Sequence, residues 1–282
     1  MFQSDLLKGR TILVTGGGTG LGRSMALRFG ELGANIFLVG RRKEPLEEAS
    51  GAIRAKGARA GFASADVRDF AAVVHAIAAA EQEFGRVDTL VNNAAGNFIA
   101  RTEKLSPNAF NAVIGIVLQG TFHFTLALGR KWIAAKQPGN ILNIVTTYAS
   151  TGSGSGYVVP SACAKAGVLA MTRSLAVEWA RYHIRLNAIA PGPFPTEGAF
   201  SRLMPSKEIE ERAKNSHPMK RFGRHEELAN LAAYLLSEQA DYVNGECVVI
   251  DGALWLRGAG EFNDFVDLTD ATWEMMEQAR KK

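Results

Sequence analysis

Short apolar runs alternate along this chain with longer stretches whose apolar residues recur every three or four positions. TILVT precedes a helical pattern from Gly20 to Leu32, and NIFLVG precedes a charged one from Lys43 to Lys56. ARAGFASAD leads into Phe70 to Phe84, and TLVNNAA into Pro107 to Lys136. NILNIVTT precedes a helix from about Pro160 to Ala180, and IRLNAIA runs into a proline-rich loop. Glu226 to Ser237 with ECVVID closes the series. The strand runs are continuously apolar, as in a sheet covered on both faces. Strand, helix, strand, repeated six times, predicts a doubly wound α/β fold of about seven parallel strands with right-handed crossovers.

Thr15-Gly16-Gly17-Gly18-Thr19-Gly20-Leu21-Gly22 lies between the first strand and the first helix. Glycines there permit a tight turn and let the backbone approach a pyrophosphate at the helix N-terminus, where free N–H groups and the dipole favour anions. A Rossmann-type dinucleotide site follows, with Gly16, Gly18, Thr19, Gly20, Leu21 and Gly22 at the cofactor. The second strand ends Gly40-Arg41-Arg42-Lys43, with no acid before Glu44. An acid at that place selects a ribose 2′-hydroxyl, whereas Arg41 and Arg42 suit a 2′-phosphate, so NADP(H) is the expected cofactor. No repeat or linker divides the chain, and its 282 residues can bury one large core. It reads as one domain, 1–282, with a cofactor half about 9–150, a substrate loop about 193–225 and a C-terminal tail about 255–282. The stretch from about Pro191 to His225 is too long for a simple connection and reads as a lid or binding loop.

The formal charge of +4 comes from scattered Lys and Arg. That pattern argues for a solvated basic surface rather than a nucleic-acid face, and suits a phosphate-bearing substrate. Cys163 and Cys247 form no CxxC pair, which argues against a disulfide framework or a metal site and for a reducing compartment. His75, His123, His183, His217 and His225 have no helical pairing or acid cluster and are assigned to surface or core. No apolar run approaches the roughly 18 residues of a membrane span. The first strand begins at Thr11 and the chain ends Ala-Arg-Lys-Lys, unlike a peroxisomal address, so a cytoplasmic protein is expected.

TGGGTGLG, Asp66-Val67 after the third strand, NNAAG from Asn92, Lys165, Asn187 in RLNAIAPGP and the terminal VIDGA together resemble the short-chain dehydrogenase/reductase family over nearly the whole length. The resemblance implies that Asp66 and Val67 meet adenine, that Asn92 lies at the cofactor, and that Lys165 holds the nicotinamide ribose. It implies that Pro191, Gly192, Pro193 and Phe194 pack beside the nicotinamide, and that the protein is a homotetramer. That family carries Tyr-x-x-x-Lys, but here the segment reads Ser161-Ala-Cys-Ala-Lys165. AAGNF, YASTGSG, VVPSACAK, PGPFPTEGAFSRL and GEFNDF are similar to the mitochondrial-type 2,4-dienoyl-CoA reductases, which share the Ser replacement and move a catalytic Tyr upstream. By that similarity Asn97 and Tyr148 grip a thioester carbonyl, while Arg68, Phe98, Ser106 and Arg202 contact an acyl-CoA substrate. Two departures stand out: an extra Ser-Gly in GSGSG between Tyr148 and Lys165, and Gln119 where this family's helix usually carries Asn. The second weakens a water relay from that helix to Lys165.

A ketone reductase needs an acid for the nascent alkoxide, and a serine hydroxyl is far weaker than a phenol in that role. Reducing a conjugated thioester instead places negative charge on the thioester oxygen, where Asn97 N–H and Tyr148 O–H would form an oxyanion hole. Tyr157 is the rival phenol. Tyr148 could also be a half-buried aromatic, Asn97 a turn residue, and Arg68 and Arg202 solvent-facing. Phe194, Phe200, Leu203 and Met204 could pack on an acyl chain or merely on the loop. The expected activity is NADPH-dependent reduction of 2,4-dienoyl-CoA to 3-enoyl-CoA in β-oxidation of unsaturated fatty acids. The alternatives are a trans-2-enoyl-CoA reductase, a carbonyl reductase, and a non-catalytic NADP-binding scaffold.

Overall fold

A computed structural model describes residues 3–150, 155–196, 206–258 and 263–280. Strands β1 (Thr11–Thr15), β2 (Asn35–Gly40), β3 (Ala60–Ser64), β4 (Thr89–Asn92), β5 (Gly139–Ile144), β6 (Ile184–Pro191) and β7 (Cys247–Ile250) form one parallel sheet. Their order is β3-β2-β1-β4-β5-β6-β7, so the winding reverses between β1 and β4. At such a switch point the loops beyond the strand ends diverge and leave a crevice.

Strand periodicity splits the core in two. Ile12, Val14, Ile36 and Leu38 face one side with Met25 and Phe29 of α1 (Gly20–Glu31) and Leu46 and Ile53 of α2 (Lys43–Ala55). Leu13, Phe37 and Val39 face the other with Val73 and Ile77 of α3 (Phe70–Phe84). Each such buried side chain contributes roughly 1.5–3 kcal/mol relative to exposure.

The run from Pro107 to Lys136, expected as one helix, is interrupted. Helix α4 (Pro107–Ile114) passes into a π-helical turn, Gly115–Gln119, before α5 (Gly120–Ala134). Gly120 cannot carry a side chain where it crosses β3's loop, since a Cβ there would lie 2.4 Å from Val67 Cγ2. The Thr121 hydroxyl donates to the Val117 carbonyl at 2.7 Å, supporting the widened turn. The span Pro107–Ala134 is long and apolar enough by composition to cross a membrane. Here it is a core helix, with Phe124, Leu128 and Trp132 buried against the sheet.

After β5 comes a single turn, α6 (Thr147–Ser150), then α7 (Val159–Glu178). The long loop after β6 contains α8 (Lys207–Ser216) and leads to α9 (His225–Leu236). Beyond β7 lie α10 (Leu254–Arg257) and a tail helix, α11 (Asp270–Arg280). Neither α8 nor the tail helix is marked by the apolar pattern. Helix α8 is strongly polar, and the tail helix sets Trp273 edge-on against Phe265.

Candidate active site

The switch-point crevice has a volume of about 370 Å³ and is lined by Gly16, Gly18, Thr19, Arg41, Arg42, Asp66 and Val67, among others. Gly16 has φ +65°, and a Cβ on it would lie 2.9 Å from Ala94 Cα. At Gly22 a Cβ would stand 2.4 Å from both the Gly16 carbonyl oxygen and Asn93 Nδ2. Gly20, at φ +54°, turns the chain into α1. Thr19 precedes that helix in extended conformation and its side chain makes no cap hydrogen bond. The first amides of α1 therefore face the crevice without a side-chain acceptor, as an anion site requires. Leu21 is only partly buried and packs on the core beneath the turn.

Arg41 and Arg42 are exposed at the crevice rim. Arg42 occupies the cap position of α2 without a side-chain cap bond, so two guanidiniums and a helix N-terminus converge there. Across the crevice, Arg68 donates to Asp66 through Nε at 3.0 Å and Nη2 at 2.6 Å. That fork, with the Arg68 backbone N–H, holds the Asp66 carboxyl below the usual carboxylate range.

The second half of the site is built from side chains. The Tyr148 hydroxyl lies 2.9 Å from Ser161 Oγ. Ser161 is 3% exposed and sits one helical turn before Lys165 on α7. The Lys165 ammonium donates to the Ile144 carbonyl at the end of β5, and its burial pushes it down to about 8. A phenol therefore stands at Ser161, close to where the family's own tyrosine would begin. Tyr157 differs: it is 62% exposed, has φ +66°, and its carbonyl accepts from Ala100 N–H at 2.9 Å. Asn97 is exposed on the segment after β4, and its Oδ1 accepts from Phe98 N–H at 2.9 Å. That bond occupies Oδ1 and leaves Nδ2 as the group able to donate. β4 and β5 are neighbours, with Asn92 opposite Asn143, so the segments bearing Asn97 and Tyr148 leave adjacent strand ends.

The family model described as Enoyl-(Acyl carrier protein) reductase matches residues 16–254. A protein of Bacillus subtilis (strain 168), named Probable 2,4-dienoyl-CoA reductase, (2E)-enoyl-CoA-producing, is 48% identical over 249 residues, 88% of this chain and 97% of its own length. Probable 2,4-dienoyl-CoA reductase 3, (3E)-enoyl-CoA-producing, of Caenorhabditis elegans is 41% identical over 280 residues, 97% of this chain and 88% of its own. The crystal structure of a short chain dehydrogenase from Bacillus anthracis superposes with a TM-score of 0.79 at 44% identity, covering 88% of this chain and 98% of that one. The chain belongs to the short-chain dehydrogenase/reductase family. It is an oxidoreductase with a nicotinamide cofactor site, as solved family members with bound NADP also have.

Several family positions take a different place from the one expected. Asn92 is 4% exposed and spends both Nδ2 hydrogens on Thr125 Oγ1 at 3.1 Å and Asn143 Oδ1 at 2.9 Å. Its amide donors are thus spent within the core, while Oδ1 has no partner among the described residues. Phe194 is 9% exposed with its ring against Gly223, so its side chain packs the loop root. Ser106 is the α4 cap, its Oγ accepting from Ala109 N–H at 3.2 Å. Gln119 is exposed beside Gly115 and Arg68, while the apolar Val117 and Leu118 of the π turn pack against α7. Phe98 is 37% exposed near the site mouth. Pro191 ends β6, the Gly192 N–H donates to Ile250 O at 2.9 Å, and Pro193 lines a cavity with Met219, Phe222 and Asp251. Arg202, with Phe200, Leu203 and Met204, lies outside the described residues.

Asn93 is a residue that pattern reading missed. Its Nδ2 donates to the Thr15 and Gly16 carbonyls at 3.1 and 3.2 Å, while Thr15 Oγ1 accepts from Asn93 N–H and Ala94 N–H, both at 3.0 Å. This bracket ties the glycine turn to β4. The signal was present in the Thr-Gly and Asn-Asn pairs at two strand ends, but only the sheet order shows that they meet.

Proposed function

We propose that this oxidoreductase uses NADPH to reduce 2,4-dienoyl-CoA thioesters. The observation that carries the reading is the Tyr148 phenol on Ser161, one turn from a buried Lys165, in place of the family's Tyr-x-x-x-Lys. The names of the Bacillus subtilis and Caenorhabditis elegans relatives support the same substrate class.

The crevice fits a dinucleotide. A Cβ on Gly16 would collide with Ala94 and one on Gly22 with Asn93 and the Gly16 carbonyl, so only glycine allows the tight turn that presents the amides of α1, which have no side-chain acceptor from the cap residue. Thr146 Oγ1, buried just beyond β5, has no partner among the described residues and would be free to meet a polar group of the cofactor. Arg41 and Arg42 would pair with a 2′-phosphate, which favours NADPH over NADH. Asp66 would meet adenine, and Lys165 the nicotinamide ribose. The reduced nicotinamide supplies a hydride when bound.

Tyr148 O–H and Asn97 Nδ2–H would donate to the thioester oxygen as addition at C5 of the dienoyl group turns it into a dienolate. Lys165, held by Ile144, adds positive charge beneath them. Protonation of that dienolate at C2 gives the 3-enoyl thioester, with the proton drawn from solvent. Protonation at C4 would give the 2-enoyl thioester. This second product is favoured by one observation, the (2E) designation of the Bacillus subtilis relative.

The test is NADPH oxidation with 2,4-hexadienoyl-CoA and 2,4-decadienoyl-CoA, run beside 2-hexenoyl-CoA and a simple ketone. Turnover with the dienoyl thioesters alone is expected. Turnover with 2-hexenoyl-CoA but not the dienoyl thioesters overturns the reading in favour of an enoyl reductase. NMR of the product distinguishes a double bond at C3 from one at C2.

A further inference from the structure

A histidine outside the reacting groups joins the two walls of the cofactor site. His225 opens α9, and its Nε2 lies 2.5 Å from the Pro195 carbonyl oxygen. Its Nδ1 lies 2.7 Å from Ser24 Oγ, which is also 3.1 Å from the Gly20 carbonyl. A carbonyl only accepts, so the ring proton belongs on Nε2, and Nδ1 of the neutral ring then accepts from the Ser24 hydroxyl. The hydroxyl has one proton to share between His225 and Gly20, and the shorter contact is to the ring. Gly20, at φ +54°, is the residue that turns the glycine-rich loop into α1. Pro195 closes the Gly192–Pro195 segment on the opposite wall, and the next residue, Thr196, comes within 3.4 Å of where a Cβ on Gly20 would lie.

We propose that His225 is a positioning residue that fixes the root of the substrate loop against the phosphate-binding turn. Through Ser24 and Pro195 it holds both walls at one spacing before the cofactor arrives, so that binding need not order them. The inference rests on the nicotinamide site of the family and not on the dienoyl-CoA reading.

Cofactor affinity without acyl substrate tests it. NADPH and NADH are titrated by fluorescence into the wild type, His225→Phe, His225→Gln, Ser24→Ala and the double variant Ser24→Ala/His225→Phe, with thermal melts in parallel. For the cofactor that the wild type binds, Kd is expected to rise roughly tenfold in His225→Phe and less in Ser24→Ala. The double variant is expected to be no weaker than His225→Phe, because both changes cut one connection. His225→Gln should recover part of the loss, since its amide nitrogen can still donate to Pro195. Folded variants whose Kd stays within about twofold of wild type, or losses that simply add, overturn the proposal. If His225→Phe fails to fold, His225→Gln and Ser24→Ala carry the same comparison. A wild type that binds neither nucleotide would contradict the cofactor site itself, a separate failure.

Discussion

The two halves of the site are made of different material. The cofactor half is backbone: Gly16 and Gly22 are places where a side chain cannot fit, and Thr15 and Asn93 lock that backbone to β4. The reaction half, on the proposed function, is side chain: Tyr148 on a single turn, Ser161 and Lys165 on α7, and Asn97 on an exposed segment. Backbone sites tolerate little change, because steric exclusion is absolute. Side-chain sites can exchange one donor for another provided the new group reaches the same atom. On the proposed chemistry, a phenol upstream of its family place, resting on the serine that stands there, would be such an exchange.

The contrast can be broken at the backbone first. Gly22→Val is expected to weaken cofactor binding by roughly 100-fold or more, since its side chain would collide with the Gly16 carbonyl. A Kd near wild type would show that the turn yields more readily than its geometry implies. Lys165→Met comes next, with cofactor affinity expected to fall by roughly 10- to 100-fold. Its stability effect has the opposite sign. With the ammonium held at about 8 by burial, the folded chain bears the cost of that charge below pH 8. As pH rises from 8 toward 10.5, the folded chain sheds the proton first and the penalty fades. Removing the charge is therefore expected to stabilise the protein at pH 7 by up to about 3 kcal/mol, with the gain shrinking at higher pH. By the same ionisation, the wild-type rate should decline as pH rises through about 8. The smallest effect is expected at the rim. Arg41→Ala with Arg42→Ala should lower the preference for NADPH over NADH by roughly tenfold. An unchanged preference would place the 2′-phosphate elsewhere.

What the sequence made legible follows the same division. The strands and the glycine turn could be read directly, because a fully covered parallel sheet demands apolar runs and a tight turn demands glycine. The π turn could not, since Gly115 to Gln119 continues a helical pattern without a break. Its consequence, Val117 rather than Gln119 facing α7, depends on one extra residue per turn that spacing does not reveal. For a related reason the motif alone does not tell what the Asn92 amide meets: strand register decides that its Nδ2 faces Asn143. The place of Tyr148 came from resemblance alone, and the contact with Ser161 required the fold. His225 carried no signal in the sequence, because its partners lie 201 and 30 residues away.

The measurement that bears most directly on the proposed chemistry is kcat for Tyr148→Phe with NADPH and 2,4-hexadienoyl-CoA, beside the NADPH Kd of the same variant. Loss of one oxyanion donor should lower kcat by roughly 100- to 1000-fold while the cofactor affinity stays at its wild-type value. A variant that keeps kcat near wild type would contradict the account, and would remove Tyr148 from the reacting groups.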